Sequence, residues 1–174
     1  MNSLSQSIAV TFAVYLLLGI EAPLLQQLHL QYFAPDLALV AVLWCALRLP
    51  VVAGALTCLV VGFLKDGFVM GAPVGMHAEI FVILFLVGRY LAAKVPVRGL
   101  STLVVSTVAL SIAASSLFVL LSLIFDPYFE SYRMVFRLMF PVALVTAPFS
   151  PVVFFVLDRV DALFARSSRR DGLI

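Results

Sequence analysis

Charge is scarce in this chain. Only 11% of the 174 residues are Asp, Glu, Lys or Arg, against 64% hydrophobic, and a water-facing surface drawn from that mixture would expose far too much apolar area. A soluble globular domain is therefore excluded, and the solvent expected is a bilayer. The formal charge of +2 offers no basic face for nucleic acid, so no nucleic-acid partner is expected. Cysteine is nearly absent too. Cys45 and Cys58 sit in apolar runs without CxxC spacing, which argues against a redox or zinc pair and for packed free thiols. Histidine occurs only at 29 and 77, and neither falls in a catalytic motif. There is no HExxH, His77 and Glu79 at i, i+2 do not share a helical face, and Gly62–Gly67 lacks the GK[ST] ending of a phosphate loop. These absences point to a non-enzymatic protein with no catalytic residue, cofactor or metal.

What is present is a series of apolar runs. Met1–Gln6 carries no Lys or Arg, and Glu21 interrupts the first run late, a poor match to a cleavable signal peptide and a plausible first span. Runs long enough to approach the roughly 20 residues that cross a hydrocarbon core predict six spans, at about 7–25, 35–49, 51–68, 74–93, 101–125 and 139–157. The expected fold is an all-α integral membrane protein, one multi-pass domain over 1–174, with membrane lipid as its surroundings. A mixed-charge amphipathic loop is expected over Asp126–Arg137, and Pro141, Pro148 and Pro151 are expected to kink the last span.

Six spans place both ends of the chain on one side. Arg48, Arg89, Lys94, Arg98, Arg159, Arg166, Arg169 and Arg170 fall on that side, leaving Lys65, Arg133 and Arg137 opposite. The positive-inside rule then makes it the cytoplasmic side.

Against this background one stretch stands out, GFLKDGFVMGAPVGMH from Gly62 to His77. An ionisable group at membrane depth is costly and usually faces a bundle interior. Counting about 1.5 Å per helical residue from the turn at Pro50 puts Asp36 and Asp66 at matching depth. Glu21, Lys65, His77 and Glu79 are expected in the same outer half, with no comparable cluster in the inner half. Two readings follow. Asp66 pins the glycine-rich break through backbone N–H groups while Lys65 reaches headgroups or an acid on another span, or the same groups line an outward-facing pocket. In the fifth span Ser111 and Ser115 are read as small helix-packing residues on a lipid-facing stripe.

Pro35-Asp36-Leu37 opening a span, Trp44 within it, Gly54, Gly62-xxx-Asp66 and Gly71-x-Pro73-x-Gly75 together resemble the rod shape-determining protein MreD family. The specific motifs cover about Pro35 to Glu79, and Lys65 departs from the apolar neighbour expected there. The resemblance implies a non-enzymatic multi-pass protein of the bacterial inner membrane that serves cell-wall elongation. It would bind MreC and, through the complex, MreB, RodA and a class B penicillin-binding protein. It also implies a fold similar to the substrate-binding component of energy-coupling-factor transporters, and such a vitamin-binding component is the alternative expectation.

Overall fold

The computed structural model describes residues 3–27, 34–68, 74–94, 99–125 and 132–171, with side chains described over 6–21 in the first stretch and to 163 in the last. It is all-helical, with α1 Ser3–Gln27, α2 Leu37–Arg48, α3 Val51–Phe68, α4 Met76–Lys94, α5 Leu100–Phe125 and α6 Tyr132–Asp171, and no strand among the described residues. Among the described residues, four segments are long and apolar enough to cross a membrane: Val51–Phe68, Met76–Lys94, Leu100–Phe125 and Tyr132–Leu163. The other two helices contribute shorter apolar stretches among the described residues. α1 has 25 residues, with side chains described over Gln6–Glu21, and α2 has 12 residues, a length of roughly 18 Å against a core of about 30 Å.

The short helix is the centre of the bundle. Every side chain from Ala38 to Ala46 is buried, and α2 touches all five other helices. A helix apolar all round belongs in a core, and this one has Val, Leu, Trp and Ala on every face with its single charge, Arg48, in the last turn. Trp44, Phe81 and Phe85 are the bulkiest fully buried side chains. The outward faces carry Phe12, Val52, Leu56, Leu144 and Phe155 in the open, the inside-out pattern of a protein whose outer surface meets hydrocarbon.

Local chemistry sets the ends of the hairpin. Asp36 caps α2, its Oδ1 accepting from the Leu39 N–H at 3.0 Å, as an N-cap acid should. After Leu49, in extended conformation, the Pro50 carbonyl accepts the first bond of α3 from Gly54. Gly54 has no side chain to spare. A Cβ there would stand 2.3 Å from the Phe85 ring, so α3 and α4 meet with the ring laid on bare backbone.

α6 runs well past the expected 139–157 at both ends. Tyr132–Arg137, expected as loop, is its first turn and a half, while 126–131 lies outside the described residues. The helix continues through Pro141, Pro148 and Pro151. Proline at 151 cannot donate to the carbonyl four residues back. Ser150 Oγ donates to that same Ala147 carbonyl at 2.7 Å, which satisfies it internally, as a low-dielectric surrounding requires.

Candidate functional site

The glycine-rich break between α3 and α4 is held by one carboxylate. Asp66 stands in the last turn of α3, where the helix dipole disfavours an acid, yet its side chain is turned across to the start of α4. Oδ2 accepts from the Gly75 N–H at 2.8 Å. Oδ1 accepts from the His77 N–H at 3.2 Å and lies 2.6 Å from His77 Nδ1. The anion therefore sits at the positive end of α4, and it saturates donors that an N-terminus leaves unpaired. Gly75 adopts φ +99°, a region that L side chains rarely enter, so the turn that delivers these N–H groups depends on glycine at this position. Gly71 and Pro73 lie outside the described residues.

One helical turn before Asp66, Gly62 brings the two helices into backbone contact. A Cβ at Gly62 would lie 2.3 Å from Ala78 Cα and 2.6 Å from Ala78 N. The spacing Gly62-xxx-Asp66 thus has a plain reason: one residue lets α4 approach and the next on the same face ties it down.

Beside this junction, Lys65 Nζ donates to Asp36 Oδ2. Both side chains are mostly enclosed, with 15% and 19% of their surfaces exposed, and Lys65 also lies 5.2 Å from the Phe81 ring centroid, within cation–π range. The pair joins the positive end of α2 to the negative end of α3, with each charge placed where its helix dipole favours it. Asp36 is anchored a third way, because its N–H donates to Thr146 Oγ1 of α6 at 2.9 Å. Glu21 of α1 lies within electrostatic reach of both Asp36 and Lys65, and its Oε2 is enclosed with no hydrogen-bond partner among the described residues.

Five of the six ionisable groups assigned to the outer half are therefore assembled: Glu21, Asp36, Lys65, Asp66 and His77. Glu79 is apart from them. It is exposed, about 200° round α4 from His77 at 100° per residue. Its backbone N–H closes the first turn on Gly75 at 3.0 Å. Pro35, next to the cap residue, is half-buried.

A cavity of about 250 Å³ opens on this cluster, with Asp36, Lys65, His77, Phe81, Ser115 and Phe118 among its lining. Ser115 consequently borders the polar groups rather than lipid. Ser111, only 3% exposed, also faces inward. The expectation of a lipid-facing Ser111/Ser115 stripe is corrected on both counts, because the small side chains of α5 are spent on contacts inside the bundle.

The C-terminal end of α2, where no comparable cluster was expected, holds a polar cluster of its own. Trp44 Nε1 donates to Asp158 Oδ1 at 2.9 Å, and Arg48 reaches Asp158 Oδ2 at 3.3 Å. One turn on, Asp161 Oδ1 accepts from Gln6 Nε2 at 2.7 Å. Arg89 donates to the Leu49 carbonyl, which the end of α2 leaves open. Asp158 escapes a sequence reading that ends the last span at Leu157, but a signal exists. A buried indole N–H needs an acceptor, and an acid just past the end of an apolar run is a ready one.

Cys45 and Cys58 are free and buried. Among the described residues no group of three or more His, Cys, Asp or Glu side chains is placed to hold a metal. The chemistry of the outer cluster is charge pairing and helix capping, with one ring nitrogen of His77 not committed to Asp66. Comparison of the chain with protein-family models, with curated proteins and with solved structures finds no match to any of them.

Proposed function

We propose that this chain is a non-enzymatic, MreD-like component of the bacterial cell-wall elongation machinery. It lies in the inner membrane with six spans and both ends in the cytoplasm, and it positions its partners by lateral contact. The observation that carries this reading is the use to which the motif is put. Asp66, Gly75, His77, Lys65 and Asp36 spend their polar atoms on one another, and a group so engaged braces helices rather than attacking a substrate. The outer faces of α1, α3, α5 and α6 are apolar, and in lipid such faces associate with other helices through packing. MreC is the expected direct partner, with MreB, RodA and a class B penicillin-binding protein reached through the complex.

The six-span arrangement is supported by the eight basic residues gathered on one side and by the placement of α2, whose two ends meet the outer and inner polar clusters. Single cysteines at Ser3 and Ser168, on a background lacking Cys45 and Cys58, should resist an impermeant thiol reagent in intact cells, while one at Ser131 should react. Labelling at Ser3 or Ser168 would end the termini-inside topology.

The functional test is depletion in a rod-shaped host together with affinity purification in mild detergent. Rounded cells and co-purifying MreC are expected. A second reading, the substrate-binding membrane component of a vitamin transporter with the energy-coupling-factor fold, is favoured by the cavity over Asp36, Lys65 and His77. Normal shape on depletion, with loss of uptake of one vitamin and its recovery on re-expression, would overturn the scaffold reading in favour of this one.

A further inference from the structure

The outer cavity is walled by rings and floored by a donor beside an acceptor. Lys65 spends one of its three N–H bonds on Asp36 and lines the cavity. His77 also lines it, and its Nδ1 is held by the Asp66 carboxylate at 2.6 Å. In the neutral ring that contact places the proton on Nδ1 and leaves the lone pair on Nε2. Phe81 and Phe118 stand 6.2 Å and 5.7 Å from the imidazole, centroid to centroid, and the methyl and methylene groups of α6 close the far side. The volume of about 250 Å³ is that of roughly eight liquid waters, room for a single substituted ring.

Charge narrows the choice of occupant. The Lys65–Asp36 pair is neutral as a unit. An anion drawn to Lys65 is opposed by Asp36. A cation drawn to Asp36 is opposed by Lys65. An uncharged group that accepts from the ammonium and donates to the imidazole meets neither opposition, and it leaves both ion pairs in place.

We infer that this cavity is a binding site for a small, flat, uncharged molecule that presents an amide-type edge, a carbonyl beside an N–H, to Lys65 and His77 and lays its ring against Phe81 and Phe118. The inference rests on the cavity and not on either reading of function. Loss of MreC co-purification or of vitamin uptake leaves it standing, and absence of binding leaves the scaffold reading standing.

The test uses the full chain in lipid nanodiscs, titrated with benzamide and observed by ligand-detected NMR, with benzoate and benzylamine as the anionic and cationic counterparts. Saturable benzamide binding is expected, at least about ten-fold tighter than either charged analogue. His77→Phe, which keeps a ring and removes Nε2, should weaken it about ten-fold, the cost of one hydrogen bond of ordinary strength. Ser115→Phe fills the cavity from α5 without touching the Asp36–Lys65 or Asp66–His77 contacts and should abolish saturation while the melting temperature holds. If that variant fails to fold, Ala114→Leu fills the same space from the adjacent lining position. A parent protein without saturable benzamide binding, binding that survives a folded cavity-filling variant, or a charged analogue that binds as well as benzamide each overturns the inference.

Discussion

Adding one methyl group at Gly62 should separate the two helices that carry the motif. The new Cβ would lie 2.3 Å from Ala78 Cα, 2.6 Å from Ala78 N and 2.7 Å from the His77 carbonyl oxygen, and ordinary carbon contacts sit at about 3.5 to 4.0 Å. All three obstacles are backbone, so no rotamer change relieves them and α4 must retreat by more than about 1 Å. Overpacking of that kind costs about 1 to 3 kcal/mol. The retreat also stretches the bonds from Gly75 and His77 to Asp66, one turn away on the same face. Losing a hydrogen bond to a charged group adds about 1.5 to 3 kcal/mol. Gly62→Ala should therefore destabilise the fold by about 2.5 to 6 kcal/mol, measured by reversible unfolding in mixed micelles. Gly19→Ala is the control, because a Cβ there meets nothing within 4 Å and helix propensity alone favours alanine by about 1 kcal/mol. A Gly62→Ala protein as stable as Gly19→Ala would refute the close backbone contact and the account of Gly62-xxx-Asp66 built on it.

Asp66→Asn keeps an acceptor but turns an amide toward the Gly75 N–H, whereas Asp66→Leu orphans three donors at about 1 to 3 kcal/mol each. The yield of folded protein should fall in the order Asp, Asn, Leu, and parity of Leu with Asp would remove the capping role. Lys65→Met leaves Asp36 enclosed and uncompensated, a loss of about 3 to 5 kcal/mol. Adding Asp36→Asn, which keeps the cap on Leu39, should recover most of it, and an additive double-mutant cycle would show that the pair is not coupled. Thr146→Val removes the acceptor of the Asp36 N–H at a fully buried position and should lower stability by about 1 to 3 kcal/mol. Unchanged stability would show that this hydrogen bond does not hold α2 to α6.

The parts legible in the sequence are those written in local chemistry. Pro35-Asp36 marks the start of α2 because an N-cap needs only its own next turn. The glycines at 62 and 75 mark a close approach and a left-handed turn because no other residue serves there. The capping reading of Asp66 needs only the chain ten residues on, and the structure has that geometry. Partners on distant helices are another matter. Nothing near Lys65 in the chain selects Asp36 over a lipid headgroup, and nothing near Asp36 points to Thr146, a hydroxyl in a helix that reads as ordinary span. Depth counting gathered Glu79 with His77 because it measures height and not azimuth, and azimuth is what separates them. The length of α6 was missed for a related reason. Polar residues at 132–137 and 158–161 look like loop on a hydropathy scale, but those at 158 and 161 are bound to α2 and α1.

The shortness of α2 ties these features together. A central helix of roughly 18 Å, buried among the five others, ends inside the bundle, where its unpaired N–H and C=O groups cannot rely on bulk water. Each end must find polar partners within the bundle. At the outer end the Asp36 cap on Leu39, the Lys65 pair and Thr146 supply them. At the inner end Arg89 takes the Leu49 carbonyl and Asp158 gathers Trp44 and Arg48. The two ends differ in what remains once that need is met. Arg48 and Asp158 are about half exposed, so water can complete their bonds. The outer groups are enclosed around a cavity, and their remaining polar capacity faces a space about the size of one ring. Bracing a short helix explains why charges stand at its ends. It does not require a cavity beside them, and that surplus is the reason to test this cluster for a ligand.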